Sequence, residues 1–199
     1  MRPVLFNFAI TVFLLSGCSA QPTVPLTGTL SWQQHSAQIT PLNTWQIEGK
    51  LGFKSQGQGG SAHLNWSQNH QQYQLSLRGP FGAGSAIISG DNTVAQLHRD
   101  DQIATDIPEQ LALRLTGLPI PVRALSWWAR GIPSPHNDTV TNLMTTANGT
   151  AVGFNQAGWQ LAFSRYSSTP DGSLPRKIVG QLGDPSFKLL ISRWSFPEK

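Results

Sequence analysis

A strict alternation of apolar and polar residues begins at Trp45, and this feature most limits what the chain can fold into. Over residues 45–54, apolar residues and one Gly at odd positions alternate with Gln, Glu, Lys and Gly at even positions. Successive side chains of a β-strand point to opposite faces, so this period of two predicts a strand with one dry face. The alternation returns over 62–66 and 73–78, after polar turns at 57–60 and 67–71. Three such segments in succession predict an antiparallel meander.

The rest of the chain predicts more strands, interrupted by short helices. One helix is predicted to be capped by Asp106, with Pro108 in its first turn and Gly117 at its end. A second covers 122–130, and a weaker helical pattern covers 29–40. Further strands are predicted over 85–90, 93–99, 139–146, 150–155, 159–166, 175–182 and 186–194.

About nine or ten antiparallel strands therefore bury one face each. A strongly curved sheet or incomplete barrel, with its mouth plugged by the helices, is the economical arrangement. Since about eight strands already enclose a small ligand, an apolar interior space is compatible with this count.

Composition and motifs argue against several functional classes. The net charge is +4 and the charges are scattered, so no basic arm indicates nucleic-acid binding. No nucleotide-binding, zinc-protease or hydrolase motif is present, and the five His are far apart in sequence. His63 and His98 are expected on wet strand faces. Asp100 and Asp101 are interpreted as a turn rather than a cation site.

The N-terminus predicts export and lipidation. Residues 4–15 form a mainly apolar stretch, too short for a membrane span but typical of a signal peptide. The following Leu-Ser-Gly-Cys, ending at Cys18, resembles the lipobox of bacterial lipoproteins, which implies cleavage before Cys18 and lipid attached to it. Ser19, where inner-membrane lipoproteins usually carry Asp, implies the outer membrane. The alternative is an ordinary secretory signal with an unrelated cysteine. Because Cys18 is the only cysteine, disulfides and cysteine metal sites are excluded.

The loop 79–84 carries an aromatic residue, Phe81, among Gly, Pro and Ala residues that can turn but cannot bury it. Phe81 either folds back onto the core or protrudes as a wedge for a membrane or an apolar partner. Trp127 and Trp128 pose a similar choice. Neighbours on a helix point about 100° apart, so one is expected in the core and the other facing a cavity or the surface.

Several segments together resemble the LolB family, outer-membrane receptors of the bacterial lipoprotein-sorting pathway. No single segment is decisive, but their order and spacing are specific. They are the lipobox, WQQH at 32–35, the strand 45–53, SAHLNW at 61–66, YQLSL at 73–77, GPFG at 79–82, LPIP at 118–121, and LSWW at 125–128 with Gly131 and Pro133.

The resemblance implies a mainly β fold, a half-open antiparallel β-barrel with two or three short helices as a lid over a hydrophobic cavity. It implies a signal peptide over 1–17, lipidated Cys18 and a tether over 18–28, and one lipoprotein-binding domain over 29–199. The implied activity is accepting acylated lipoproteins from the periplasmic carrier LolA and placing them in the outer membrane. It implies neither catalysis, nor a metal, nor a cofactor beyond the lipid on Cys18. We expect a periplasm-facing monomer that contacts outer-membrane lipid.

The resemblance also assigns candidate site residues. The family's loop matching 79–84 protrudes with a leucine at its tip, so Pro80, Phe81 and Gly82 are the expected membrane-delivery loop, with Phe in place of Leu. The expected lid residues are Leu111, Leu115, Leu125 and Trp128. The expected cavity residues, each with solid core as the alternative, are Trp45, Ile47, Leu51, Phe53, Leu64, Trp66, Leu75 and Leu77.

Downhill transfer is the expected mechanism. Burial of an acyl chain is worth about 0.8 kcal/mol per methylene, so a lipoprotein needs an apolar cavity to cross water. Two other functions stay open: a carrier of a free lipid or small apolar ligand, and a structural lipoprotein of an envelope assembly machine. A lipid hydrolase is least favoured, because no nucleophile, His and acid can be nominated together.

Overall fold

The computed structural model describes residues 30–55, 57–80, 84–136 and 139–197. The predicted signal peptide, Cys18, the tether, Phe81 and Gly82 therefore lie outside the described residues. Within them the chain forms thirteen strands and three helices. The helices are α1 Trp32–Ile39, α2 Pro108–Thr116 and α3 Val122–Ala129. The strands are β1 Thr44–Ser55, β2 Gln58–Asn69, β3 Gln72–Arg78, β4 Ser85–Gly90, β5 Ala95–Arg99, β6 Gln102–Asp106, β7 Thr141–Thr145, β8 Ala151–Gln156, β9 Trp159–Ser164, β10 Ser167–Thr169, β11 Gly172–Leu174, β12 Lys177–Gln181 and β13 Ser186–Ser195.

Eleven strands form one open antiparallel sheet in the order β6-β5-β4-β3-β2-β1-β13-β12-β9-β8-β7, and β10 and β11 form a separate hairpin. The first six strands run as a meander, and β1 then pairs with β13. Over the described ranges the edge strands β6 and β7 are not hydrogen-bonded to each other, so the sheet is not a closed barrel. The predicted half-open antiparallel fold with short helices is confirmed.

The turn between β1 and β2 is shorter than predicted. Ser55 pairs with Gln58, so Gly59 and Gly60 belong to β2. Phe53 explains why a glycine stands at position 60 within the strand. It lies opposite Gly60, and a Cβ at Gly60 would stand 2.9 Å from Cζ of the Phe53 ring. Glycine inside a strand here makes room for an aromatic ring on the neighbouring strand.

The region around α2 differs from the prediction in two ways. The sequence pattern does not predict β6. This strand lies at the edge of the sheet and its apolar Ile103 is 65% exposed, so its apolar residues do not mark an inward-facing side. Asp106 is not the helix cap. Ile107 holds that position without a side-chain hydrogen bond, and Asp106 instead forms a salt bridge with Arg114 at 2.8 Å. The turn at 100–101 and the end of α2 at Gly117 are confirmed.

The sheet has two differently packed halves. We call β8, β9, β12 and β13, together with residues 128–134, the packed half. Its core is built from aromatic rings, with the Trp159 and Phe187 centroids 5.2 Å apart and those of Phe154 and Phe163 5.1 Å apart. Trp128 is fully buried there, which confirms that one of the adjacent tryptophans is core. We call β1–β4, with α2 and residues 122–127 of α3 over them, the cavity half.

Helix α1 is attached to the end of α3 by a buried guanidinium. Arg130 donates hydrogen bonds to the carbonyl oxygens of Ile39, Thr40 and Leu42, the last at 2.8 Å. Its guanidinium also lies 4.4 Å from the ring centroid of Trp127. Burial lowers the pKa of Arg130 to about 10, so the side chain stays charged near neutral pH.

Candidate functional site

An apolar cavity lies between the inner face of β1–β4 and the helices α2 and α3, with a volume of about 50 Å³. The sheet contributes Leu51, Trp66, Tyr73, Leu75, Leu77 and Ile88 to its wall. The helices and their linker contribute Ala112, Leu115, Thr116, Ile120, Val122 and Leu125. The Thr116 hydroxyl is already paired, since it donates to the carbonyl of Ala112 and accepts from the N–H of Leu118. The walls therefore suit hydrocarbon.

Strand register builds the sheet side of this cavity. Leu75 on β3 lies opposite Trp66 on β2 and Ile88 on β4, so three apolar side chains form one row across three strands. Leu77 lies one inward position further along β3, opposite Leu64. Inward residues on neighbouring strands thus meet because the alternation on each strand has the same phase.

The structure places some of the sequence candidates at this cavity and others elsewhere. Leu51, Trp66, Leu75 and Leu77 line it, and so do Leu115 and Leu125 from the helices. Three other cavity candidates, Trp45, Ile47 and Leu64, are buried in the core without lining it, and Phe53 packs over Gly60. Leu111 and Trp128 are fully buried and do not line it either.

Sequence reasoning did not nominate Tyr73, Ile88, Ala112, Ile120 or Val122 as cavity residues. The signal for Tyr73 and Ile88 was present, because both occupy inward positions in the alternation of β3 and β4. The other three lie on α2, α3 and the Leu-Pro-Ile-Pro linker, where local sequence shows no reason to face the sheet.

Hydrogen bonds connect α2 and α3 to the sheet and its loops: Arg114 bonds to Asp106 on β6, the indole N–H of Trp128 bonds to Gln156 on β8, and two further bonds lie beside the cavity. The Ser55 hydroxyl on β1 donates to the carbonyl of Gly117 at 3.0 Å. The Nε of Arg123 on α3 donates to the carbonyl of Asn92 at 2.8 Å. The linker between α2 and α3 is also anchored, since Leu118 and Ile120 are buried. The helices therefore cover the cavity as a lid held at a small number of points.

The loop 79–84 is closed at its base, where the N–H of Gly79 donates to the carbonyl of Gly84 at 3.0 Å. Pro80 is exposed. Phe81 and Gly82 lie outside the described residues, so the delivery role of Pro80, Phe81 and Gly82 stays a prediction.

Two larger clefts lie on the outer face of the sheet and have charged residues in their walls. One of about 730 Å³ is lined by residues including Lys50, Arg165 and Arg176. A neighbouring one of about 530 Å³ includes Arg78 and Glu48, and Glu48 is in a salt bridge with Arg193. Charged walls do not suit an acyl chain, so size alone does not mark the acyl site.

The described residues contain neither a metal-binding cluster nor a membrane-spanning helix. No three His, Cys, Asp or Glu residues within the described ranges come together in a way that could hold a metal ion. His63 is exposed and His98 half-buried, while His35 on α1 is buried. No helix among the described residues is long and apolar enough to cross a membrane.

Comparison with known sequences identifies the family. A family model described as "Outer membrane lipoprotein LolB" matches residues 43–194. An outer-membrane lipoprotein LolB of Pseudomonas paraeruginosa is 32% identical over 98% of this chain and 97% of the relative. The chain belongs to the LolB family of outer-membrane lipoproteins. The LolB of Stutzerimonas stutzeri is 30% identical over 91% of this chain and 90% of its own length.

Two solved structures share this fold. A LolA superfamily protein from Nitrosomonas europaea matches with a TM-score of 0.54 over 85% of this chain and 95% of that chain, at 8% identity. A DUF1329 family protein from Desulfovibrio piger matches with a TM-score of 0.56 over 80% of this chain and 88% of that one, at 6% identity. At these identities the likeness concerns the fold alone.

Proposed function

We propose that this protein accepts acylated lipoproteins from the periplasmic carrier LolA and inserts them into the outer membrane, with the acyl chains passing through the cavity beneath α2 and α3. The observation that carries this proposal is the cavity, because hydrocarbon side chains from both the sheet and the lid form its walls. Membership of the LolB family supports the same role. The proposal assigns no catalytic step to the protein.

Hydrocarbon transfer supplies the driving force. Ten acyl methylenes gain about 8 kcal/mol on leaving water, so a lipoprotein does not cross the periplasm unprotected. An apolar cavity removes most of this barrier without a nucleotide. Transfer is then directional if affinity for the acyl chains rises from the carrier to this cavity and from the cavity to the bilayer.

The lid moves during uptake. The cavity volume of about 50 Å³ is too small for an acyl chain, so an acyl chain enters only when the walls separate. The movable contacts are those of Leu115 and Leu125 with the sheet, together with the Ser55–Gly117 and Arg123–Asn92 hydrogen bonds. An acyl chain replaces the leucine contacts with equivalent apolar contacts, so opening has a low net cost.

The membrane steps use residues outside the described ranges. We propose that lipid on Cys18 holds the domain at the outer membrane, facing the periplasm. The loop formed by Pro80, Phe81 and Gly82 then perturbs the bilayer during delivery. An aromatic ring keeps the apolar character of the leucine expected at this position.

A reversible disulfide across the lid tests the cavity. A Cβ at Gly117 lies 3.5 Å from the Cβ of Ser55, which is within disulfide range. Cys18 is the only native cysteine, so Ser55→Cys combined with Gly117→Cys adds one defined pair. The oxidised variant should take no labelled lipoprotein from a loaded carrier, and reduction should restore uptake. The two single variants are the controls. Normal uptake by the oxidised, cross-linked protein would refute this entrance.

A second assay separates acceptance from delivery. Phe81→Glu should accept lipoprotein from the carrier but fail to pass it to outer-membrane vesicles, whereas Phe81→Leu should do both. If Phe81→Glu delivers normally, the loop has no delivery role. A free-lipid carrier would bind free lipid but accept no lipoprotein from the loaded carrier, and a structural lipoprotein would do neither.

A further inference from the structure

Tyr73 has a buried hydroxyl group that the fold does not use. Its side chain lines the cavity and is 7% exposed. The hydroxyl oxygen makes no hydrogen bond with any described residue. Two other polar-tipped residues of the wall are paired: Thr116 as described above, and Trp66 through its indole N–H to the amide oxygen of Gln68 at 3.1 Å.

An unpaired buried hydroxyl destabilises a protein, because the group loses its hydrogen bonds to water and gains none. The alternation of β3 requires only an apolar side chain at position 73, and Phe has nearly the same shape as Tyr. Stability therefore favours Phe at this position. A costly polar group at a binding site is commonly retained because a ligand uses it.

The location of Tyr73 indicates which part of a ligand it meets. Tyr73, Leu75 and Leu77 are successive inward residues of β3, so Tyr73 and Leu77 are separated by about 13 Å at roughly 3.3 Å per residue. The helix starts lie at the Tyr73 end: Glu109 in the first turn of α2 is close enough to raise the pKa of Tyr73, and Arg123 in the first turn of α3 bonds to Asn92, two residues beyond the Gly90 that pairs with Tyr73. The cavity wall thus changes along β3, from a phenol at one end to leucines at the other.

The phenol keeps its proton. Burial, followed by the negative charges of Glu109 and Asp91, raises the pKa of Tyr73 above its ordinary value of 10. At neutral pH the group is therefore an O–H that can donate a hydrogen bond. The two nearby carboxylates also mark this end of the cavity as the end closer to water.

We propose that the Tyr73 hydroxyl donates a hydrogen bond to a carbonyl oxygen at the head of a bound acyl chain, whose hydrocarbon extends toward Leu77. This inference rests on the proposed function and specifies its ligand as an acyl ester or amide rather than plain hydrocarbon. It also specifies orientation, with the polar head at the first residues of α2 and α3.

The test compares Tyr73→Phe with the unaltered full chain. The probes are radiolabelled methyl palmitate and hexadecane, each presented from methyl-β-cyclodextrin. Tyr73→Phe should bind methyl palmitate about tenfold more weakly, the loss of one hydrogen bond, and should bind hexadecane unchanged. In the absence of ligand it should unfold at a higher temperature, because an unpaired hydroxyl has been removed.

Tyr166→Phe is the matched control. Its hydroxyl is paired, donating to the carbonyl of Ala151 at 2.8 Å, and the residue does not line the cavity. Tyr166→Phe should lower the unfolding temperature and leave the ratio of the two affinities unchanged.

Three results would overturn the inference. An unchanged affinity ratio in Tyr73→Phe means that the hydroxyl does not contact the carbonyl. A lower unfolding temperature for Tyr73→Phe means that the hydroxyl already has a stabilising partner. If the unaltered chain binds neither probe, the cavity does not take acyl chains, and the proposed function fails together with this inference.

Discussion

The two halves of the sheet show the same inward alternation but different packing. In the packed half, Phe154, Trp159 and Phe187 are each at most 2% exposed, and their rings contact other rings directly. In the cavity half, the inward Leu51 and Leu75 are only partly buried and leave a space beneath the lid. Alternation therefore determines which face is dry, while the shape of the opposing side chains determines whether the face is filled.

The two halves are also covered differently. In the packed half, Gln156 accepts hydrogen bonds from the indole N–H of Trp128 at 2.8 Å and from the N–H of Ser134 at 2.9 Å, and it donates to the Ser134 carbonyl. The lid over the cavity half has the Ser55–Gly117 and Arg123–Asn92 bonds near the surface. We infer that the packed half acts as a rigid support and the cavity half as the part that opens.

The largest expected effect comes from truncating one residue in each half. Phe154→Ala should lower the free energy of unfolding by about 4 kcal/mol, because it leaves a cavity among fixed rings. Leu125→Ala should cost about 2 kcal/mol, since Leu125 is partly buried and already borders a space. Urea denaturation measures both. Equal losses would contradict the contrast in packing.

The next effect concerns buried hydrogen bonds. Gln156→Leu should cost about 3 kcal/mol, because it leaves the N–H groups of Trp128 and Ser134 buried without this acceptor. Thr116→Val in the cavity half leaves one N–H, that of Leu118, without this acceptor and should cost about 1–2 kcal/mol. Thermal unfolding of the two variants measures both losses of stability. A smaller loss for Gln156→Leu than for Thr116→Val would contradict the proposed difference between the two halves.

Enlarging a side chain, the opposite change to truncation, should also distinguish the two halves. Ala151→Leu in the packed half should cost about 1–3 kcal/mol by overpacking, because Ala151 is fully buried. Ala112→Leu fills part of the cavity and should change stability by less than about 0.5 kcal/mol while blocking methyl palmitate binding. A large loss of stability in Ala112→Leu would show that the cavity wall cannot adjust.

The smallest expected effect depends on pH and concerns α1, outside the lid. Burial lowers the pKa of His35 below its ordinary value of 6.5. As pH falls below 6.5, the unfolded chain binds a proton that the folded chain does not, so the free energy of unfolding decreases. The slope contributed by His35 is at most about 1.4 kcal/mol per pH unit.

Hydrogen exchange locates this pH effect. After correction for intrinsic exchange rates, lowering the pH should increase exchange in α1 more than in α2 and α3. His35→Gln should remove the difference between the helices. A pH response confined to α2 and α3 would instead assign the titration to the lid.

Local sequence was enough for much of the fold. Pro108 and Gly117 delimit α2 because one has a backbone suited to a helix start and the other adopts a φ of 69° at its end. It was not enough for β6, because the exposed Ile103 interrupts the inward pattern of this edge strand. Asp106 likewise looked like a cap, but Arg114, two turns along, forms a salt bridge with it instead.

By itself, the sequence determined the antiparallel sheet, its dry face, the helical interruption and the signal for lipidation, because these depend on residues near one another in the chain. Only the tertiary structure decided that Leu75 and Leu77 border a space while Trp45 and Ile47 do not, and that the hydroxyl of Tyr73 is left unpaired. The physical reason is that a period of two specifies the face on which a side chain lies. What stands opposite that side chain depends on α2 and α3, which are distant in sequence from β1 and β2.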